Sequence, residues 1–171
     1  MAEYKYRVID NFLSPYLFNK LVYETNPLVD YKKTDSMKWG YCKTVRDAPE
    51  SLGDVMYFEN LIYCNTIYNE KYYKILKVLI DKLDVKSLMR IKFNLYTRTD
   101  NLVHHPNHSD KEFPHKGGLF SLNTCNGFTV IDEEEIPSVA NRMILFDPYI
   151  PHHSTNCTDS PYRMNVNINY F

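Results

Sequence analysis

The C-terminal stretch Arg163-Met164-Asn165-Val166-Asn167-Ile168-Asn169-Tyr170-Phe171 alternates polar and apolar residues. Period-two alternation places Met164, Val166, Ile168 and Tyr170 on one face of a β-strand and Arg163, Asn165, Asn167 and Asn169 on the other. A second stretch, Ser87 to Tyr96, repeats the pattern, with Met89, Ile91, Phe93 and Leu95 set against Arg90, Lys92, Asn94 and Tyr96. The polar face of one such strand would ordinarily be the solvated side of an antiparallel sheet. Two of them, with helices available to cover the apolar faces, predict a sheet folded over a second sheet, the polar faces turned into a shared lumen.

The covering helices are legible. Ser14-Pro15 pairs an N-cap with proline at the first helical position, and Leu17, Phe18, Leu21 and Val22 recur at helical spacing between Pro15 and Glu24, before Asn26-Pro27 ends the run. From Asn69 to Leu83, a capping Asn69, an acidic first turn at Glu70 and the stripe Tyr72, Ile75, Leu76, Leu79 and Leu83 define a second helix. Tyr6 to Ile9, Leu119 to Leu122, Gly127 to Ile131 and Arg142 to Phe146 read as short strands, with Asn126-Gly127 as a turn signal. Tyr57 to Cys64 has no clean period and is expected to be helical from context. Asp30 to Gly53 reads as a loop with short strands, in which Trp39 is a packing residue, while Met37 to Glu50 with Trp39, Tyr41 and Arg46 is a candidate lid. Thr99 to Gly118 reads as loop, and Asp132 to Glu135 as a solvated tip between strands.

With 171 residues, 44% of them hydrophobic and 24% charged, the chain is expected to be one domain spanning 1–171, α+β but mainly β. No run approaches the ~18 apolar residues of a membrane span, and Met-Ala-Glu-Tyr-Lys-Tyr lacks a secretory pattern, so the cytoplasm is the expected compartment, that of the host if the chain is phage-encoded. The four cysteines form no Cys-x-x-Cys pair, which argues against a thiolate zinc site and a disulfide framework. A net charge of −1 removes the electrostatic case for a general nucleic-acid binder.

The chemistry gathers between His104 and Arg163. His108 and Asp110 stand one residue apart, so in an extended segment both side chains project to one side and can share a metal ion. Alone the pair is weak evidence. Pro151-His152-His153 supplies a distant third ligand, and adjacent strand residues face opposite ways, so only one of the two histidines points at the ion. Two imidazoles and one carboxylate form a facial triad with adjacent open positions, the arrangement of non-haem Fe(II) oxygenases, where a bidentate 2-oxo acid and dioxygen would bind. Arg163 offers a planar fork for the far carboxylate of a dicarboxylate such as 2-oxoglutarate, and Tyr96 a hydroxyl for the same ligand.

These residues carry a family resemblance. Tyr96, His108-x-Asp110, Asn123-Thr-Cys-Asn-Gly127, Ala140-Asn141-Arg142, Phe146-Asp147, Pro151-His152 and Arg163-x-Asn165, with the opening Val8-Ile-Asp-Asn-Phe-Leu-Ser14, resemble the Fe(II)/2-oxoglutarate-dependent dioxygenases. Among these the small prolyl-hydroxylase-like members of phages and bacteria are the most similar. The resemblance implies a double-stranded β-helix, the jelly-roll or cupin-like architecture, with supporting N-terminal helices. It also implies His108, Asp110 and His152 as iron ligands, with Arg163 as anchor of the cosubstrate 2-oxoglutarate. His152 is preferred to His153 by matching Phe146 to His152 onto the segment that leads into the third ligand. The activity implied is hydroxylation coupled to oxidative decarboxylation of 2-oxoglutarate by dioxygen, on a protein or peptide group such as proline. The alternatives are a jelly-roll binding module without oxygenase activity and a nucleic-acid demethylase, which the near-neutral charge disfavours.

Overall fold

The alternating C-terminal stretch is strand β11 (Tyr162–Tyr170), and it runs through the middle of the larger of two sheets in the computed structural model, which describes residues 5–26, 37–43 and 56–171. The other elements, in chain order, are β1 (Tyr6–Ile9), α1 (Pro15–Thr25), β2 (Gly40–Cys42), β3 (Tyr57–Cys64), β4 (Thr66–Ile67), α2 (Glu70–Lys82), β5 (Leu88–Thr97), β6 (Lys116–Ser121), β7 (Phe128–Ile131), β8 (Glu134–Pro137), β9 (Met143–Phe146) and β10 (His152–Ser154). The larger sheet has the order β1-β9-β6-β11-β5-β3-β2, with β4 paired to β3, and the smaller the order β10-β7-β8; all pairs are antiparallel.

After β5 the chain passes repeatedly between the two sheets. The segment at His104 to His108 bridges β10 at His108↔His152 and Thr155 at His104, so it extends the smaller sheet before β6 returns to the larger one. β7 and β8 lie in the smaller sheet, β9 in the larger, β10 in the smaller and β11 in the larger. This winding is a double-stranded β-helix.

The apolar faces of β5 and β11 pack as expected. Ile91, Phe93, Met164, Val166 and Ile168 are buried in one cluster with Leu21 of α1 and Tyr72, Leu76 and Leu79 of α2. Both helix starts are capped: Ser14 Oγ accepts from the Leu17 N–H at 3.5 Å, and Asn69 Oδ1 from the Tyr72 N–H at 3.1 Å. Trp39 lies edge-on to Phe93, ring centroids 6.5 Å apart, against this core. Of the candidate lid, only residues 37–43 are among those described. No helix among the described residues is long and apolar enough to cross a membrane.

Three expectations are corrected. Tyr57 to Cys64 is strand β3, not helix: its register with β5 shifts between Leu61 and Tyr63, and this bulge breaks the alternation that would have marked a strand. β6 begins at Lys116, so Gly117 and Gly118 belong to the strand. A Cβ on Gly117 would stand 2.8 Å from Pro148 Cγ, and one on Gly118 would stand 3.3 Å from Met143 Sδ, so glycine here admits neighbours rather than making a turn. The acidic run is half turn and half strand. Asp132 and Glu133 take φ of 54° and 68° in a two-residue hairpin turn, while Glu134 and Glu135 open β8. Asn126-Gly127 does separate β6 from β7, but a Cβ on Gly127 would collide with the Asn156 carbonyl oxygen and approach Arg163 Cδ to 2.7 Å. Its glycine serves close packing against the site.

Asn141 ties the β1–α1 connection to the sheet. Its side chain accepts from Leu13 N and donates to Leu13 O, both at 2.8 Å, and its own φ is 63°. Beside it, Arg142 grips Asp10 through two contacts of 2.6 and 2.9 Å. Asn141→Ala should destabilise the fold by about 2–4 kcal/mol in urea unfolding, losing two buried hydrogen bonds and placing a Cβ residue with no side-chain compensation in the left-handed region. Asn141→Gly should recover roughly 1 kcal/mol of that loss; equal costs for the two variants would show that the backbone conformation contributes nothing.

Candidate metal centre

His108 and His152 are directly opposite each other in an antiparallel bridge and exchange both backbone hydrogen bonds at 3.0 Å. Opposed residues share a face, and the two imidazole centroids are 4.6 Å apart. Asp110 is brought in by its own backbone, whose N–H donates to Pro148 O at 2.8 Å. A Cβ at position 117 would intrude on that same proline, which is why β6 lies against it as glycine. The ligand atoms of His108, Asp110 and His152 all fall within 4.8 Å of one another.

The two rings are also held in one tautomer. His108 Nδ1 lies 3.2 Å from Pro106 O and His152 Nδ1 lies 2.9 Å from Ile150 O. A carbonyl only accepts, so Nδ1 carries the hydrogen in each ring and Nε2 is left with its lone pair. Burial lowers the His108 pKa to about 4, helped by the neighbouring His152 and opposed by Asp110. Burial likewise lowers that of His152, against the pull of Asp110. Both rings are therefore neutral at neutral pH.

Burial would raise the pKa of Asp110, but the charge of Arg90, the proximity of His152 and the hydrogen bond from Asn169 outweigh it and hold the carboxyl well below the usual range. Asn169 Nδ2 donates to Asp110 Oδ2 at 2.8 Å, with Asn167 Nδ2 at 3.4 Å, and Arg90 Nη2 lies 2.9 Å from Oδ1 as an ion pair outside aligned hydrogen-bond geometry. Oδ1 is also the oxygen 4.0 Å from His108 Nε2. Two bare imidazole nitrogens and an ionised carboxylate, all oriented by partners behind them, are a donor set suited to a divalent metal.

The triad opens on a cavity of about 100 Å³ between the sheets, whose wall includes Arg90, Lys92, Asn94 and Tyr96 of β5, Asn167 of β11, Thr129 of β7 and Ser154 of β10. The polar faces of β5 and β11 thus do turn to a lumen. Arg163 is 1% exposed and lies just behind this wall. Its Nη2 donates to Thr129 Oγ1 at 2.7 Å, its Nη1 donates to Thr155 O at 2.8 Å, and its guanidinium carbon stands 5.3 Å from the Tyr96 ring centroid. Its Nε has no partner and it makes no salt bridge among the described residues.

The remaining histidines separate cleanly. His153 faces away from the triad, its Nε2 3.1 Å from His104 Nδ1 and its Nδ1 2.7 Å from Asn107 Oδ1. His115 touches Asn169 behind Asp110. His105 is buried with its Nδ1 unpartnered and sits edge-on to Tyr96 and Tyr57, at 5.0 and 6.1 Å between centroids. Thr129 escaped sequence reading, and His115 reads from the sequence only as a loop residue or a neighbour of the metal-binding groups. Thr129 alternates toward the lumen in a strand of only four residues, and His115 stands in a loop without any period.

No protein-family model matches the chain, and no curated protein matches it by sequence. Solved structures do match. A prolyl-4-hydroxylase from Pseudomonas putida superposes with a TM-score of 0.66 at 13% identity, over 99% of this chain and 94% of its own. A prolyl hydroxylase from Trichoplax adhaerens, solved with a peptide fragment of a hypoxia-inducible factor, gives 0.65 at 13% identity over 98% and 83%. An oxidoreductase of the 2-oxoglutarate-Fe(II) oxygenase family from Burkholderia pseudomallei gives 0.67 at 8% identity over 98% and 85%. The chain has the fold of these oxygenases.

The buried imidazoles make stability depend on pH. Burial lowers the pKa of both His105 and His108 from 6.5 to about 4, so between those values the unfolded chain binds more protons than the folded one. Their contribution is complete above about pH 7 and is lost as the pH falls from 6.5 through 4. Unfolding free energy of the metal-free protein should be flat near neutrality and drop across that window. His105→Leu should flatten the slope by up to about 1.4 kcal/mol per pH unit, the equivalent of one proton; an unchanged slope would mean that His105 titrates alike in both states.

Proposed function

We propose that the protein is a non-haem iron dioxygenase that couples oxidative decarboxylation of 2-oxoglutarate to hydroxylation of a second substrate. One observation carries the reading: a His/Asp/His donor set opens on a polar chamber, and just behind the wall of that chamber lies a buried guanidinium with no carboxylate partner among the described residues. A buried, uncompensated charge costs several kcal/mol, so Arg163 calls for an anionic ligand. Thr129, whose hydroxyl accepts from Arg163, and Tyr96, whose ring lies beside the guanidinium, both line the chamber and would meet that anion.

In this reading His108, Asp110 and His152 hold Fe(II), and the bound iron supplies the activation of dioxygen. The chain does the rest. His108 and His152 present neutral Nε2 atoms because Pro106 O and Ile150 O retain the Nδ1 hydrogens. Asp110 stays ionised through Arg90 and Asn169. Arg163, with Tyr96 and Thr129, fixes the far carboxylate of 2-oxoglutarate and so orients its 2-oxo acid end toward the triad. Enclosure of the lumen between the two sheets limits the access of bulk water to the reacting centre. A peptidyl substrate, with proline as the first candidate, fits the likeness to prolyl hydroxylases, and the near-neutral charge of the chain speaks against nucleic acid.

Anaerobically loaded protein given Fe(II), 2-oxoglutarate and then oxygen should release succinate, and His108→Ala, Asp110→Ala and His152→Ala should each abolish it. His153→Ala and His104→Ala should retain turnover, because those rings face elsewhere. Arg163→Met should raise the KM for 2-oxoglutarate roughly 10–100-fold, the worth of a charge-assisted hydrogen bond. Undiminished succinate in the three ligand variants would refute the oxygenase. Metal binding without succinate from the unaltered protein would identify a jelly-roll binding module instead.

A further inference from the structure

We propose that Asn169, held by His115 and Arg90, is a positioning residue that keeps Asp110 a single-oxygen metal ligand; this rests on the reading of His108, Asp110 and His152 as ligands. Asn169 is 2% exposed, and its side-chain amide meets three polar partners. Nδ2 is 2.8 Å from Asp110 Oδ2 and 3.1 Å from His115 Nε2, and Oδ1 is 3.0 Å from Arg90 Nε. Only one orientation of the amide suits them all. An ionised carboxylate only accepts and a guanidinium only donates, so the amide NH2 faces Asp110 and the amide oxygen faces Arg90.

The role of His115 follows from the same bookkeeping of donors. Its Nδ1 is 2.8 Å from Phe113 O, which can only accept, so Nδ1 carries the hydrogen and Nε2 is the acceptor for the second N–H of Asn169. Each member is placed by backbone. Asn169 lies opposite Arg90 on β5 and Gly117 on β6, and His115 directly precedes β6.

The consequence falls on Asp110. Its Oδ2 is taken by Asn169, with Asn167 3.4 Å away, whereas Oδ1 is the oxygen turned toward His108 Nε2, with Arg90 Nη2 beside it at 2.9 Å as an ion pair outside aligned hydrogen-bond geometry. A carboxylate tied through Oδ2 offers one oxygen to an ion shared with the two imidazoles. Were both oxygens to bind, Asp110 would take one of the three positions that the triad leaves open, and a bidentate 2-oxo acid and dioxygen could no longer bind together. Asparagine is the residue type this position needs. Aspartate would set two carboxylates against each other, and alanine would strand Asp110 Oδ2 and His115 Nε2 without their shared donor.

Mn(II) bound to the otherwise intact protein provides the test, because water-proton relaxation per bound ion counts the waters on the metal. The unaltered protein should hold about three. Asn169→Ala and His115→Leu should lose one, a fall of roughly a third, while His115→Gln, which keeps an acceptor for Asn169, should restore the full value. His115 lies outside the strands, so its two variants decide the matter even where Asn169→Ala fails to fold. Equal enhancement in the unaltered protein, Asn169→Ala and His115→Leu overturns the positioning role and leaves the metal site standing. Failure of the unaltered protein to bind Mn(II), or unchanged binding in Asp110→Ala, overturns the metal site and this inference together.

Discussion

The lumen face of β11 is entirely polar and entirely buried: Arg163, Asn165, Asn167 and Asn169 are each no more than 8% exposed. A buried polar side chain without partners costs more than a hydrogen bond returns, so such a face can exist only where other elements come to meet it. They do. Asn94 Nδ2 donates to Asn165 Oδ1 from β5, Thr129 and Thr155 receive Arg163 from the smaller sheet and its flank, and Asp110 and His115 receive Asn169 from the loop before β6. The need to satisfy one strand draws the second sheet and the ligand loop over the first. Fold and site are thus two consequences of one constraint. Most of what remains unpaired among the described residues gathers on the lumen faces of β5 and β11, at Arg163 Nε, Asn94 Oδ1, Asn165 Nδ2 and Asn167 Oδ1, where ligand or ordered water would complete it.

How much of this was legible depended on whether the signal was local. Alternation in β5 and β11 and the stripe of α2 are local patterns, and they identified both the elements and the faces they bury. β3 is also local in origin, but its bulge between Leu61 and Tyr63 resets the alternation midway and leaves the string without a period. Glycine misled for a related reason. Gly117, Gly118 and Gly127 read as punctuation, whereas their neighbours in space, Pro148, Met143 and Asn156, are what require the missing side chain. Such contacts join residues far apart in the chain and leave no mark in the local pattern.

The site divides along the same line. His108-x-Asp110 is legible because two side chains one residue apart point together in any extended segment. Alternation alone said that either His152 or His153 turns inward, and the deciding fact, the bridge to His108, is a tertiary pairing. The residues that orient this donor set were visible only as members of a polar face. Arg90 and Asn169 could be assigned to the lumen, but their convergence on one carboxylate depends on the register Asn169↔Arg90 and on a loop histidine that shares no period with either.

The charges of the chamber carry the functional argument one step further. Lys92 Nζ is 2.8 Å from Glu59 Oε2, and Arg90 Nη2 is 2.9 Å from Asp110 Oδ1, so two of the three cations near the lumen are compensated within the protein. Arg163 is not, and it is the most deeply buried of the three. A divalent ion at the triad would add charge of the same sign at the other end. Low local dielectric magnifies the charge of the deeply buried Arg163 above all. A ligand carrying negative charge at each end relieves both at once, and a single carboxylate could relieve only one. Under the proposed function, a metal triad paired with a lone buried guanidinium selects dicarboxylates over monocarboxylates, and β11 serves both: it carries Arg163 itself and, six positions further on, the Asn169 that holds Asp110.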